Sequence, residues 1–192
     1  MSLVVCSLKW DLGTSGTGPQ RITYDSDGYH LVRFPYGRTG ESTDPWGMHD
    51  PAHGGSEPSV YPDARSGLIH PSHDGWGVLS AMVIWQPDTR PSEFRARFVR
   101  DPLGLSTGYD STGTCDSAHT GGSQFRTYMW QFAVKRGTPV GLKVTARGSG
   151  DRRIAVPVTL AEFKLAIHTD VLLPGSDAGY GGGTADGSAP AA

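Results

Sequence analysis

Apolar residues recur at every second position through most of this chain, and no stretch shows the spacing of an amphipathic helix. Residues 3–12 place Val4, Cys6, Leu8, Trp10 and Leu12 on one side, which predicts a first strand. Residues 20–34 read as a hairpin, with Arg21 to Tyr24 and Tyr29 to Phe34 joined by a turn at Asp25-Ser26-Asp27-Gly28. The Asp-Gly step suits such a turn because its glycine tolerates positive φ. Residues 76–86 are apolar on both faces: Trp76, Val78, Met82 and Ile84 on one, Leu79, Ala81, Val83 and Trp85 on the other. A strand of this kind has one face in a core and the other against a second surface, in the domain or on a neighbouring subunit. Trp76, Leu79, Ala81, Val83 and Trp85 are therefore the candidate oligomer-interface residues.

Further strands follow. Phe94, Ala96 and Phe98 alternate with Arg95, Arg97 and Val99, and over 125–135 Tyr128, Trp130, Phe132 and Val134 stand opposite Arg126, Thr127 and Gln131. Val140, Leu142, Val144 and Ala146 alternate with Lys143 and Thr145; Ile154 to Val158 forms another apolar segment. Over 161–171, Phe163, Leu165 and Ile167 alternate with Glu162, Lys164 and His168. Six period-2 segments spaced by about ten residues predict an all-β fold, a jelly-roll β-sandwich. Residues 1–65 supply an N-terminal strand, hairpin and long loop, 66–173 the jelly-roll core, and 174–192 a flexible Gly/Ala-rich tail. The 35–66 stretch carries Tyr36, Trp46 and Tyr61, which could stack on sugars, but it is expected to pack as a lid rather than to hang free.

Composition narrows the function. Gly (27) and Pro (14) exceed a fifth of the 192 residues, which suits short strands and many turns. A net charge of −2 excludes nucleic-acid binding driven by phosphate neutralisation, and no apolar run approaches bilayer length. Cys6 and Cys115 share no metal-like spacing and read as free thiols. Leu3-Val4-Val5-Cys6 is too close to the start to be a lipoprotein cleavage site, so no signal peptide is expected.

Four elements resemble the trimeric jelly rolls of the tumour-necrosis-factor and complement-globular-head type. Gly67-Leu68-Ile69 is similar to their early strand, and Asp74-Gly75-Trp76-Gly77-Val78-Leu79-Ser80-Ala81 to their Asp-Gly-aromatic entry into a long apolar strand. Val134-Lys135-Arg136-Gly137-Thr138-Pro139-Val140 resembles their basic-Gly step between strands, and Phe163 to Ile167 their closing strand. The likeness spans Ser66 to Val171 and implies the fold and a trimeric habit, with no functional residue carried over. The Gly/Ala/Asp/Thr bias and the Gly/Ala tail also resemble structural proteins of tailed bacteriophages of high-GC actinobacteria, which use such jelly rolls as minor tail, receptor-binding and decoration proteins.

Chemistry is sparse. His49-x3-His53 and His70-x2-His73, beside Asp44, Asp50 and Asp74, have ligand-competent side chains. Pro51, Gly54 and Gly55 preclude the helix that would align the first pair, so both pairs read as loop histidines and no metal or cofactor is expected. Cys115 and His119 lie near Asp110 and Asp116, but no orienting third group or nucleophile elbow surrounds them, and the segment reads as a turn-rich loop. Asp25-x-Asp27-Gly28 begins like a calcium loop but lacks the later bidentate Glu, leaving turn chemistry. Arg95, Arg97, Arg100 and Arg126 read as solvated alternate positions; as a stripe they would suit an acidic neighbour or an anionic glycan. The expectation is therefore a non-enzymatic virion structural protein, a minor tail or capsid decoration component acting as a homotrimer among other virion proteins. A sugar- or receptor-binding adhesin contacting a host surface glycan is the alternative. A cupin-like metalloenzyme comes third, because its ligands would have to converge inside the barrel.

Overall fold

The computed structural model describes residues 2–15, 18–37, 42–120, 122 and 124–170. Its strands are β1 (Leu3–Asp11), β2 (His30–Leu31), β3 (Leu68–Ile69), β4 (Gly75–Trp85), β5 (Glu93–Arg100), β6 (Asp110–Ala118), β7 (Gln124–Val134), β8 (Val140–Gly148), β9 (Arg152–Arg153) and β10 (Val158–His168). They form two antiparallel sheets, one ordered β1-β10-β4-β7 and the other β2-β8-β5-β6, with β3 and β9 also on β8. The packing is that of a jelly-roll sandwich.

Alternation decides which side chains meet between the sheets. Val4, Cys6, Leu8 and Trp10 of β1 turn inward with Phe163, Leu165 and Ile167 of β10, as their sequence pattern predicts. The Phe163 ring lies 5.9 Å from Phe98 of β5 and 6.4 Å from Phe34, tying both sheets to the chain that crosses between them. Residues 4–10 share this core with the later strands, so the N-terminal segment is part of the sandwich.

Several elements differ from expectation. Leu12 leaves β1 for a single helical turn over Leu12–Ser15. In the predicted hairpin the turn forms, with Gly28 at φ 78° and its amide on the Asp25 carbonyl, but residues 21–24 do not pair as a strand. His30–Leu31 pairs with β8 instead. Side chains replace the missing ladder: the Thr23 amide meets His30 Nδ1 at 3.2 Å, and Gln20 Oε1 accepts the Arg33 amide at 2.9 Å. β6 falls where a loop was expected, because its polar sequence hides an edge strand that pairs only with β5 within its sheet. Only Arg152–Arg153 is strand just before the predicted 154–158 segment, whereas β10 begins at Val158 and ends at His168.

Every residue of β8 is buried, including Lys143 and Thr145, which alternation assigned to solvent. The 20–31 segment covers that outer face. Lys143 Nζ reaches Asp25 and Asp27, each at 2.8 Å, and Arg97 adds a 2.7 Å contact to Asp27 while stacking on Tyr29. These contacts use the pair of aspartates that looked like a calcium loop. Burial pushes the Asp27 carboxyl up, but the Lys143 and Tyr29 amide hydrogen bonds outweigh it, and the net shift is downward.

Strand β4 settles which apolar face is which. Leu79, Ala81, Val83 and Trp85 fill the inter-sheet core, with Trp85 packed 4.9 Å from Phe94. These four of the five candidate interface residues are therefore unable to meet another subunit; only Trp76 points outward. Trp85→Ala should cost about 3–5 kcal/mol, read as a lower urea midpoint, because it empties a closed core position. A loss below 1 kcal/mol would show that the sheets are not packed through this ring.

His30 is fully buried, and its Nε2 lies 3.0 Å from Gln20 Oε1. Burial, the largest influence, pushes its pKa down to about 4. An unfolded histidine titrates near 6.5, so between roughly pH 6.5 and 4 the unfolded chain takes a proton that the folded one refuses. Stability should therefore fall as pH drops through that window, by at most about 1.4 kcal/mol per pH unit for this group. Melting temperatures between pH 7 and 4.5 should show the decline, and His30→Gln, which cannot titrate, should make it shallower. Asp27 acts lower, since a depressed carboxyl loses its contribution only as pH falls below the ordinary Asp value near 3.9.

Candidate interaction face

If the odd-numbered residues of β4 point inward, the even-numbered ones point away from the core, and the paired strands must follow. Ile84 sits opposite Phe125 and Leu160, Met82 opposite Thr127 and Glu162, Ser80 opposite Met129 and Lys164. Val78 lies opposite Gln131 and Ala166, and Trp76 opposite Ala133 and His168. Val5 and Leu3 of β1 extend the same surface beyond Ala166 and His168. The outer face of β1-β10-β4-β7 is thus a broad apolar field. Phe125 is 66% exposed, Met129 64% and Leu3 53%.

Ser80, Thr127, Gln131, Glu162, Lys164 and His168 interrupt this field, with Ser7, Lys9 and Asp11 along β1, and two pairs of polar groups meet there. Lys164 Nζ meets Glu162 at 2.7 Å, and Trp76 Nε1 donates to Gln131 Oε1 at 2.9 Å. A shallow hollow of about 450 Å³ lies among Met82, Met129, Thr127 and Lys164. Beside the field, Trp130 of the edge strand β7 is 44% exposed although its partner Leu79 is fully buried. Trp130 is thus the exposed member of an inward row in which Tyr128 and Phe132 are buried.

The other sequence candidates are dispersed or spent. Arg95 pairs with Glu93 at 2.8 Å and Asp151 at 3.1 Å, Arg97 with Asp27, and Arg100 with Asp110. Arg126 lies on the same side of β7 as Tyr128, not opposite it, and its guanidinium donates to the Ala118 carbonyl at 2.5 Å and to Gln124. No basic stripe is left. Cys6 is buried and Cys115 half-buried, both free, and burial beside Asp44 pushes the Cys6 thiol far up. His119, instead of facing Cys115, stacks on Phe94 at 6.2 Å and has Nε2 2.9 Å from the Asp88 carbonyl.

The four loop histidines separate. His49 stacks on Tyr36 at 4.5 Å with Nδ1 2.9 Å from the Leu68 carbonyl, while His53 and His70 rings lie 4.8 Å apart and the His73 ring stands perpendicular to that of Trp46 at 5.5 Å. Among the described residues no three His, Cys, Asp or Glu side chains are placed to hold a metal ion. Of the three loop aromatics, Tyr36 is fixed by its Ser59 hydrogen bond at 2.6 Å and Tyr61 packs against the core, whereas Trp46 is 48% exposed. The outward field was legible as the second apolar face of residues 76–86; the contribution of Phe125, Met129 and Leu3 was not, because it requires the pairing.

No protein-family model matches this chain, and no curated protein matches it. Solved structures do. A tumour-necrosis-factor protein, Eiger of S. frugiperda, aligns with a TM-score of 0.57 at 11% identity, covering 91% of this chain and 98% of that one. The globular domain of zebrafish complement 1qA aligns with a TM-score of 0.53 at 10% identity, covering 86% and 96%. At such identities the likeness concerns architecture, and the architecture of this chain is that of the tumour-necrosis-factor and complement-head jelly rolls.

Proposed function

We propose that this protein is a non-enzymatic assembly module whose copies pack through the outer face of β1-β10-β4-β7 into a homotrimer. The observation that carries the reading is the apolar field of Ile84, Phe125, Met82, Met129, Val78 and Trp76 on a sandwich whose opposite face is covered over β8 by its own chain. Exposed fields of this kind mark interaction surfaces, since a monomer gains nothing by keeping them wet. The exposed Trp130 at the β7 edge supplies a second, different patch next to the first. Two unlike adjacent patches suit a ring in which each copy's face meets the next copy's flank, and a ring of three is the habit implied by the fold resemblance. The finer reading is a structural component of a tailed-bacteriophage virion, a minor tail or decoration protein docked on other virion proteins. Composition and the Gly/Ala-rich tail support it.

Sedimentation velocity on the purified protein should give a trimer. Phe125→Glu with Met129→Glu should yield a monomer whose circular dichroism and core melting are retained, since charges in a central apolar contact typically cost more than 2 kcal/mol each. Trp76→Ala should weaken assembly without unfolding, in contrast to Trp85→Ala. A wild-type monomer at micromolar concentration sinks the proposal. The virion reading predicts in addition that purified particles carry the protein in multiples of three copies.

A further inference from the structure

At one end of the sandwich, where β4 begins and β7 ends, two loops frame a cleft of about 220 Å³ lined by Trp46, His53, His70, Ser72 and Arg136. Its walls are held by backbone contacts. The Asp44 carboxylate accepts the Met48 and His49 amides at 2.9 and 2.8 Å, and the His70 amide donates to the Met48 carbonyl at 2.7 Å. Met48 is fully buried, so the turn bearing Trp46 is anchored from below. On the opposite wall the Arg136 amide donates to Asp74 at 2.6 Å and the Gly137 amide to the Pro71 carbonyl at 3.0 Å. Trp46 is thus exposed from a fixed position, its ring held perpendicular to His73.

The cleft has a one-sided chemistry. His53 Nε2 lies 2.8 Å from the Gly47 carbonyl and donates its hydrogen there. His70 packs on His53, and burial, together with His53, His49 and Arg65, pushes its pKa down to about 4, so it is neutral near pH 7. Carboxylates stay out of the lining. Asp44 and Asp74 accept the amides named above, Asp50 accepts the Ala52 amide at 2.8 Å, and Asp101 accepts those of Leu105, Ser106 and Gly108. Arg65 donates to the Glu57 carbonyl at 2.8 Å. No acid pairs with the Arg136 guanidinium among the described residues, although Arg95, Arg97 and Arg100 each hold one.

We propose that this cleft binds a carboxylated sugar, a single uronic-acid unit, with its apolar ring face on Trp46 and its carboxylate on Arg136. An aromatic face offers the flat apolar contact a pyranose ring presents, and a guanidinium grips a carboxylate through paired hydrogen bonds. The volume is below the roughly 300–1,000 Å³ of a drug-sized site, which limits the ligand to about one ring. This site is separate from the apolar sheet face and does not depend on the oligomeric reading.

The test is a heteronuclear NMR titration of the whole protein with methyl β-D-glucuronide, methyl β-D-glucoside and acetate. The glucuronide should shift the Trp46 indole signal saturably, and glucoside and acetate should each bind at least tenfold more weakly. Arg136→Gln should bring the glucuronide down to the level of the glucoside, and Trp46→Ala should abolish the saturable glucuronide shifts of the Gly47, Ser72 and Gly137 amides. Both positions are exposed, and unchanged melting temperatures would confirm that the variants remain folded. Absence of a saturable shift overturns the proposal. So does equal binding of glucoside, equal binding of acetate, or undiminished binding by Arg136→Gln.

Discussion

The contact on which the rest depends is the inter-sheet packing of Phe163 against Phe98 and Phe34. A strand has only two sides, so placing Phe163 inward puts Glu162 and Lys164 outward on β10. Antiparallel pairing transmits that choice to β4 and β7 rung by rung, and a one-residue slip would reverse every side chain. The apolar outer field is therefore a consequence of how the core is packed. It exists because β4 and β7 carry apolar residues on the side the core does not use.

The two outer faces of the sandwich are treated differently by the same chain. On β8 the outer residues include Lys143, and burying an ammonium without partners is costly, so Asp25 and Asp27 of the 20–31 segment meet it. That segment is tied down as a cover, and side-chain bonds from His30 to Thr23 and from Gln20 to Arg33 hold it in place of a second ladder. On β4 the outer residues are Trp76, Val78, Met82 and Ile84, and no described segment crosses them. Charge pairing inside the chain covers β8 on one face, while the apolar residues of β4 stay on the other.

Much of this was legible in the sequence, and the failures share a cause. Strands with one apolar side, such as β1 and β10, were readable with the correct face inward because burial writes itself as period 2. β6 was invisible since Asp110 to Ala118 is an edge strand with polar, small residues, where pairing and not burial makes the strand. Lys143 misled because a buried charge looks like a solvated one until its distant partners are known. The two faces of residues 76–86 were divided correctly, but four of the five interface candidates came from the core side: nothing local tells which apolar face of β4 is the core, and Trp85 meeting Phe94 decides it.

Loops are harder still, because their side chains converge by backbone anchoring and not by spacing. His49-x3-His53 and His70-x2-His73 suggested two pairs, yet the structure joins His53 to His70, across the sequence, and sends His49 to Tyr36 and His73 to Trp46. What brings His53 and His70 together is a set of main-chain contacts: the His70 amide on the Met48 carbonyl and the Asp44 carboxylate on the Met48 and His49 amides. Main-chain groups of this kind carry no sequence signature. The acids that do carry one are used here as loop anchors, and this is why the cleft they support is lined by Trp46, two histidines and Arg136 with no carboxylate. An anchored loop with its carboxylates turned to the backbone can present a cation without neutralising it, which is the arrangement an anionic ligand requires.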